Sequence, residues 1–329
     1  METRTLGRTG RDVSVVGLGC WQLGSDWGEV DDADALATLR AAVDAGVTML
    51  DTADVYGDGR SEQVIGRFVA DLPPDERPFV ATKVGRRADP FTAEQYTAQN
   101  LREWVDRCRR NLATDTLDLV QLHCPPPAVY ETDAVFDALD ALVEEGALAA
   151  YGVSVETEAE ALLSIARPGV ASIQIVLNAF RRKPLERVLP AAVEAGVGVI
   201  ARVPLASGLL TGKYDESTTF AQDDHRTYNR HGEAFDVGET FSGVPFPVGV
   251  EAARRVAAVA GEGVATSAFA LRWILDQPGV TCVIPGARNA EQARGNATAA
   301  ALLPLGNGQL AEVEQVYDEL VREHVHARW

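Results

Sequence analysis

The apolar and polar positions of the chain repeat one arrangement, in which an amphipathic segment ends at a glycine and a run rich in Val and Ile follows at once. Glycine supplies the left-handed conformation that commonly ends a helix, and such a run is typical of a strand buried on both faces. A helix followed by this kind of strand, several times over, predicts a parallel sheet. The repeat occurs as AAVDAGVTMLD (41–51), LVEEGALAAYGVS (142–154), ARPGVASIQIVLN (166–178), AAVEAGVGVIAR (191–202) and DQPGVTCVIPG (276–286).

Three further apolar runs, VSVVGLGC (13–20), FVATKV (79–84) and LDLVQLH (117–123), bring the predicted strands to eight. Helical patterns between the strands favour a (β/α)8 TIM barrel over a doubly wound sheet, in which a G-x-G-x-x-G segment would follow the first strand. The N-terminal TRTLGRTGRDVSV indicates a β-hairpin before the barrel.

Two segments depart from the repeat. Residues 205–248 form a long connection, rich in Gly, Asp and aromatic residues, between the seventh strand and its helix. Because connections of this length are usually functional, we expect it to lie over the barrel mouth, with residues 214–248 acting as a mobile lid over the substrate. Residues 307–326 predict an extra C-terminal helix, and the whole chain, 1–329, is expected to be a single barrel domain.

Composition and charge exclude several classes of function. The net charge of −18 argues against a nucleic-acid partner, because a phosphate backbone needs a basic face. No stretch approaches the roughly 20 apolar residues of a membrane helix, and a signal-peptide pattern is absent, so we expect a soluble, cytoplasmic protein with no membrane partner. The four cysteines contain no C-x-x-C pair, so neither a metal site nor a disulfide framework is expected.

Four side chains with related chemistry follow or close predicted strands. In a TIM barrel the carboxyl ends of the strands share one face, where catalytic residues gather. Lys83 is notable because the chain has three lysines against 27 arginines, which suggests that this buried position needs an ammonium of adjustable pKa. Each of the four also has an ordinary structural use, as a turn former, loop aromatic, snorkelling residue or core histidine. They are Asp51, Tyr56, Lys83 and His123.

Together these residue types form a proton-donating device. A free tyrosine has a pKa near 10 and is a poor acid at neutral pH, and an adjacent ammonium lowers that pKa. Asp51 would hold Lys83 charged and fixed. His123 would donate a hydrogen bond to a carbonyl oxygen and orient it toward Tyr56. The set therefore predicts the reduction of a carbonyl, with hydride arriving at carbon and a proton at oxygen.

The chain resembles the aldo-keto reductase family from end to end. The matching motifs occur in order: LGRTGRDVSVVGLGCW, DTADVYG, the Lys of ATKV, LDLVQLHCP, YGVS, IQIVLN, PLASGLLTGKY and VIPGARNAEQARGN. The resemblance implies a catalytic tetrad made of the four residues above, with Tyr56 as general acid and base. It also implies a nicotinamide cofactor, NADP, laid across the barrel mouth without a Rossmann fingerprint.

The resemblance also implies cofactor contacts, position by position. Ser154 and Gln174 match residues that the family uses for the nicotinamide amide. The loop around the diphosphate corresponds to Leu205, Ser207, Gly208 and Lys213. The adenosine end corresponds to Gly286, Ala287, Arg288, Gln292 and Asn296. The expected set is completed by Cys20, Trp21, Asp51 and Pro204.

Two positions depart from the family pattern. Val155 stands where many members have Asn, which removes one amide contact, and Arg202 stands where many have an aromatic residue that stacks on the nicotinamide. A planar guanidinium can also stack on a ring, so we expect this role for Arg202. The alternative is that Arg202 pairs with an acid of the barrel mouth.

These features support an NADPH-dependent reductase of aldehydes or ketones as the leading hypothesis. The alternatives are an NADP-binding regulatory or redox-sensing barrel with little turnover, and an unrelated barrel isomerase or lyase acting on a phosphorylated sugar. NADP is favoured over NAD because Arg288, Gln292 and Lys213 offer donors for a 2′-phosphate. The alternative for Arg288 is a surface pair with Glu291.

Aromatic residues of two loops are candidates for the substrate pocket. They either line a pocket for a small carbonyl compound or pack among themselves. They are Trp21 and Trp27 of the first loop and Tyr228, Phe235 and Phe241 of the long connection.

Overall fold

A computed structural model describes residues 1–24 and 30–329. An antiparallel hairpin of β1 (Thr3–Thr5) and β2 (Asp12–Ser14) comes first. Its turn lies at the amino ends of the barrel strands, where a Cβ added to Gly7 would lie 2.0 Å from the backbone nitrogen of Gly198. Leu6 of the hairpin is buried among side chains of the barrel interior, so the hairpin plugs this end of the barrel.

Within the described residues, eight parallel strands pair in chain order around one sheet. Parallel bridges from Val16 to Val283 and from Gly19 to Gly286 join the first strand to the last, which closes the barrel. The (β/α)8 prediction is therefore confirmed. The strands are β3 (Leu18–Gly19), β4 (Met49–Asp51), β5 (Phe79–Val84), β6 (Leu119–His123), β7 (Tyr151–Ser154), β8 (Val170–Val176), β9 (Gly198–Arg202) and β10 (Cys282–Val283).

The strand predicted over residues 13–20 divides into two parts. Asp12–Ser14 pairs with β1 of the hairpin, and only Leu18–Gly19 pairs with β4 of the barrel. The change occurs because Ser14 exchanges hydrogen bonds with Thr48, the residue that leads into β4, and this holds the chain across the barrel floor.

Helices surround the sheet and follow the strands in the order that the repeat predicts. The extra C-terminal helix is also present, as two α-helical parts joined by a turn of π-helix at Tyr317–Val321. None of the described helices is long and apolar enough to cross a membrane. The helices are α1 (Asp32–Asp44), α2 (Arg60–Ala70), α3 (Ala98–Leu112), α4 (Asp133–Glu144), α5 (Glu158–Ile165), α6 (Val188–Ala195), α7 (His225–Tyr228), α8 (Phe246–Ala260), α9 (Thr266–Leu275), α10 (Ala290–Ala297), α11 (Asn307–Val316) and α12 (Arg322–Val325).

The glycines of the repeat serve two purposes. Gly46, Gly146, Gly196 and Gly279 adopt the positive φ expected after a helix. Gly169 does not, and is needed for a different reason: a Cβ at this position would lie 1.9 Å from the Tyr151 hydroxyl oxygen. Gly169 therefore permits close packing rather than a left-handed turn.

The long connection is a compact structure over the carboxyl ends of the strands. It contains α7 and three short 3₁₀ helices, Ala206–Thr211, Val237–Glu239 and Phe241–Gly243. Trp329 packs against it from the C-terminal segment, because its indole Nε1 donates a hydrogen bond of 3.0 Å to Asp236 Oδ1. The Arg181 guanidinium lies 3.5 Å from the centroid of the same indole ring.

Candidate active site

The register of three neighbouring strands brings the charged core of the site together. Asp51 pairs with Ala81 of β5, and Lys83 lies two residues further along that strand. Lys83 in turn pairs with Gln121 of β6, and His123 lies two residues further along. Because alternate residues of a strand share a face and barrel strands are staggered, all of these side chains project from one face near the carboxyl ends.

Lys83 and Asp51 form a buried ion pair. Lys83 Nζ donates to Asp51 Oδ1 at 2.5 Å and to the Thr52 carbonyl at 2.9 Å, and both side chains are almost fully buried. Burial alone would lower the pKa of Lys83, but the attraction of Asp51 and Tyr56 raises this pKa above its ordinary value. Lys83 is therefore an ammonium at neutral pH, as expected.

The second oxygen of Asp51 is held by two amides, one from β6 and one from β8, that reach it across the barrel interior. Asp51 Oδ2 accepts from Gln174 Nε2 at 2.7 Å and from Gln121 Nε2 at 3.3 Å. Sequence reasoning missed Gln121, which a period-two pattern ending at His123 would have placed on the same face. The carboxylate is consequently fixed from three sides.

Tyr56 lies directly beside this ion pair. Its ring centroid is 5.2 Å from Lys83 Nζ and 6.0 Å from the centroid of the His123 ring, which is nearly perpendicular to it. The Lys83 ammonium does lower the pKa of Tyr56, as expected from the sequence, but burial raises it more strongly, so the net pKa lies above 10. The expectation of a lowered pKa was therefore wrong, and Tyr56 keeps its proton at neutral pH.

His123 is a neutral imidazole. Burial, followed by the positive charges of Arg86, Lys83 and Arg202, holds its pKa well below the ordinary value of 6.5. Its Nδ1 has no hydrogen-bond partner among the residues that the structure describes. A neutral imidazole carries one N–H group, so His123 can donate a hydrogen bond without giving up a charge.

Residues expected at the nicotinamide lie next to this core. His123 pairs with Ser154 of β7, and Ser154 pairs with Gln174 of β8, so the three form one row across the sheet. The backbone N–H of Cys20 donates to the Asp51 carbonyl at 2.8 Å. The Trp21 ring stacks on Tyr56 with 6.0 Å between centroids. These predicted positions therefore meet at one end of the barrel.

The predicted diphosphate loop has an unusual backbone. Val203, Ala206 and Ser207 have φ values of 52°, 47° and 53°, a left-handed conformation that non-glycine residues adopt at a cost. Ser207 Oγ donates to the Glu239 carbonyl at 3.1 Å and accepts from the Phe241 N–H at 3.0 Å, which ties this loop to the long connection. Of the other positions, Leu205 and Gly208 are half-buried, Pro204 is buried and Lys213 is exposed.

The predicted adenosine end surrounds the start of α10. Asn296 Nδ2 donates to the Gly286 carbonyl at 3.1 Å, and the Gln292 side chain accepts from the Arg288 N–H at 2.9 Å. Ala287 is buried between them in the chain. The side chain of Arg288 is 42% exposed, and its guanidinium lies 3.9 Å from the carboxylate of Asp224 in the long connection. The sequence had suggested Glu291, not Asp224, as an acidic partner for Arg288.

The profile of the Aldo/keto reductase family matches residues 15–318. The chain belongs to the aldo/keto reductase family. It is 32% identical over 296 residues to aldo-keto reductase YhdN of Bacillus subtilis, which covers 89% of this chain and 86% of that relative. Among solved structures, a glycerol dehydrogenase from Gluconobacter oxydans superposes with a TM-score of 0.77 at 30% identity, over 96% of this chain and 93% of that one. A Klebsiella pneumoniae aldo-keto reductase in complex with NADPH has the same fold (TM-score 0.71, 23% identity, 96% of each chain).

Four further charged side chains border Asp51, Tyr56, Lys83 and His123, and the sequence motifs pointed to only one of them, Arg202. Arg86 Nη2 donates to Glu239 Oε1 at 3.0 Å. Arg202 Nη2 donates to Glu156 Oε2 at 2.7 Å, and its Nη1 lies 3.6 Å from Glu239 Oε1. The alternative that Arg202 pairs with an acid of the mouth is therefore what is observed, while stacking on a nicotinamide stays a prediction.

The pKa values of the two carboxyl groups in this ion network are shifted in opposite directions. The two guanidinium groups outweigh burial and hold the pKa of Glu239 below its ordinary value. Burial, aided by the neighbouring Glu239, raises the pKa of Glu156. Cys124 joins these two carboxylates in a cluster of potential metal ligands, but the adjacent guanidinium groups already supply positive charge there. We therefore assign the cluster to ion pairing rather than to a metal.

The loop aromatics separate into two groups. Trp21 and Tyr228 each contact Phe235, at centroid distances of 5.9 and 6.3 Å, so these three pack together near the tetrad. Phe241 instead packs on Phe246 at 5.0 Å in the core of the long connection. Trp27, also expected at the pocket, lies outside the described residues.

Proposed function

We propose that the protein is an NADP-dependent oxidoreductase that reduces an aldehyde or ketone to the alcohol, with Tyr56 as the general acid. The observation that carries this proposal is the buried Lys83–Asp51 pair beside the Tyr56 ring and the neutral His123. The arrangement supplies one acidic hydroxyl, one uncharged hydrogen-bond donor and one fixed positive charge. Each of these groups can assist the transfer of a proton to a carbonyl oxygen or stabilise the charge that develops during that transfer.

The residues present fit a nicotinamide cofactor. Ser154 offers a hydroxyl group and Gln174 an amide group beside the tetrad. The left-handed backbone around Ser207 offers N–H groups to a diphosphate. Arg288, just before the start of α10, would bind the 2′-phosphate, because an anion is favoured at a helix N-terminus. When bound, the cofactor supplies the hydride that reduces the carbonyl carbon.

The side chains of the tetrad would then deliver the proton to the substrate oxygen. His123 donates a hydrogen bond to the substrate oxygen and holds it near Tyr56. As negative charge develops on that oxygen, the Tyr56 hydroxyl proton transfers to it. The Lys83 ammonium stabilises the resulting phenolate, and Asp51 holds Lys83 in position. Solvent restores the proton to Tyr56, and the same groups in reverse order serve the oxidation of an alcohol.

The substitution Tyr56→Phe tests the assignment, since it removes only the transferable proton. We expect kcat for a simple aldehyde to fall by at least about a hundredfold, whereas the Kd for NADPH, measured by fluorescence titration, changes little. Tyr317→Phe, on the C-terminal helix, makes the same chemical change away from the barrel mouth and should retain activity. A Tyr56→Phe enzyme with more than about a tenth of the wild-type kcat would exclude Tyr56 as the acid.

The same assay separates the proposal from the regulatory alternative. A protein that binds NADPH tightly but turns over none of a panel of aldehydes, ketones and alcohols would favour a redox-sensing role. Failure to bind a nicotinamide cofactor at all would instead revive the isomerase or lyase hypothesis.

A further inference from the structure

The ion network beside His123 contains a bound carboxylate that the protein itself provides. Glu239 Oε1 lies 3.0 Å from Arg86 Nη2 and 3.6 Å from Arg202 Nη1. We infer that Arg86 and Arg202 form an anion subsite, occupied here by Glu239, which takes the carboxylate of an acidic carbonyl substrate when Glu239 is displaced. This inference rests on the proposed function and names the substrate class for it.

The guanidinium groups come from the barrel, whereas Glu239 comes from the connection above it. Arg86 follows β5 by two residues and Arg202 ends β9. Glu239 ends a single turn of 3₁₀ helix in the long connection. The two cations therefore belong to the carboxyl ends of barrel strands, and the anion between them belongs to a separate segment, from which we expect its side chain to rotate away when a ligand carboxylate binds.

The network leaves hydrogen-bonding capacity unused. Among the described residues, Arg202 Nε, Glu156 Oε1 and His123 Nδ1 are buried without a hydrogen-bond partner. Arg202 is 8% exposed and His123 4% exposed, so both are more than nine-tenths buried. A buried guanidinium N–H without an acceptor is costly, and most such groups are paired in native proteins. A ligand carboxylate has two oxygens and can accept from Arg86 and Arg202 together.

Charge counting favours one anionic group. With Glu239 in place, two guanidinium groups face two carboxyl groups, Glu156 and Glu239. With Glu239 displaced, at least one positive charge remains uncompensated. Exchange of one carboxylate for another preserves the pairing of Arg86 and releases Glu239 to water, where its charge is well solvated. A neutral substrate group in place of Glu239 would leave one guanidinium charge buried and uncompensated.

The position of the subsite identifies the bound group as part of the substrate. Arg202 Nη2 lies 3.6 Å from Cys124 Sγ, and Cys124 directly follows His123. The positive charges of Arg86 and Arg202 also help to lower the pKa of His123. Arg86 is 26% exposed and so can be reached from the barrel mouth. A carboxylate bound here would therefore be joined to the carbonyl by a short chain.

The test compares two aldehydes of equal length, 4-oxobutanoate and butanal, in the NADPH-loaded enzyme. The readout is the ratio of their kcat/KM values, acidic over neutral. Glu239→Gln removes the competing carboxylate and should raise this ratio about tenfold or more, whereas Arg86→Gln should lower it by a similar factor. Arg255→Gln, on the exposed face of α8, removes the same charge elsewhere and should leave the ratio unchanged.

A second measurement does not depend on the folding of the Arg86 variant. Butanoate should inhibit butanal reduction by the wild-type enzyme competitively, and more strongly in Glu239→Gln, while butanamide should inhibit weakly in both. If the ratio and the inhibition are the same in wild type and Glu239→Gln, the anion subsite is refuted although the reductase assignment stands. If an enzyme that binds NADPH reduces neither of these aldehydes nor any other aldehyde or ketone of the panel, it is the proposed function that fails.

Discussion

Replacement of Lys83 by Met should destabilise the protein as well as inactivate it. Lys83 and Asp51 are 1% and 4% exposed in their side chains, and the substitution leaves the Asp51 carboxyl group buried without its cation. Breaking a buried ion pair on one side typically costs about 3–5 kcal/mol. Unfolding entropies of about 2.1 cal/mol/K per residue give about 0.7 kcal/mol/K for a chain of this length, so we expect Tm to fall by about 4–7 °C.

The double variant Lys83→Met, Asp51→Asn isolates the stranded charge as the cause. The Asn amide oxygen can still accept from Gln174 and Gln121, which now hold Asp51 Oδ2, while no buried charge remains. We expect this variant to regain about 2 kcal/mol or more relative to Lys83→Met in urea unfolding, yet to remain inactive. A Lys83→Met protein that melts within about 1 °C of wild type would refute the reasoning. So would a double variant whose loss equals the sum of the two single losses.

Two further predictions concern cofactor choice and pH. Arg288→Ala should raise the KM for NADPH about tenfold or more and the KM for NADH much less, because Arg288 would contact only the 2′-phosphate. Equal effects on the two KM values, or a wild-type enzyme that prefers NADH, would exclude this role. Burial lowers the pKa of His225 to about 4 in the folded protein. As pH falls from about 6.5 to about 4, the unfolded chain therefore binds a proton at this residue and the folded protein does not. The free energy of unfolding decreases over that pH range. His225→Gln should reduce the stability lost between pH 7 and pH 5 by about 1–2 kcal/mol in urea unfolding, and an unchanged loss would show that His225 does not titrate differently in the two states.

The parts of the fold and site that depend on local pattern could be predicted from the sequence. A strand buried on both faces is a continuous apolar run, so the eight runs and the helices between them indicated the barrel. The proximity of Asp51, Tyr56, Lys83 and His123 followed from the barrel, because residues at strand ends share a face whatever their separation in the chain, while their catalytic role stays a prediction. Gln121 was missed although it obeys the same rule, because an amide on a strand carries no chemical signal of its own.

The ion network could not be predicted, because it depends on which loop covers the mouth and how it descends. Glu239 is 153 residues from Arg86 along the chain, and nothing in its local sequence distinguishes it from the other acids of a protein with a net charge of −18. The net pKa of Tyr56 escaped prediction for a related reason. The effect of Lys83 can be argued from two residues, but desolvation depends on everything packed around the phenol, including the Trp21 ring.

For the proposed role of Tyr56 as general acid, a raised pKa is more suitable than the lowered pKa expected from the sequence. A general acid must hold its proton at the operating pH and release it only when the acceptor becomes basic. A phenol with a lowered pKa would be partly ionised near neutrality, and in that state would repel a developing alkoxide. Burial raises the pKa of Tyr56, and in the proposed mechanism Lys83, fixed by Asp51, would stabilise the phenolate once it forms. In the proposed mechanism the ion pair would therefore stabilise the negative charge that develops on the phenol oxygen during proton transfer, and stabilisation of this charge in the transition state would increase the rate.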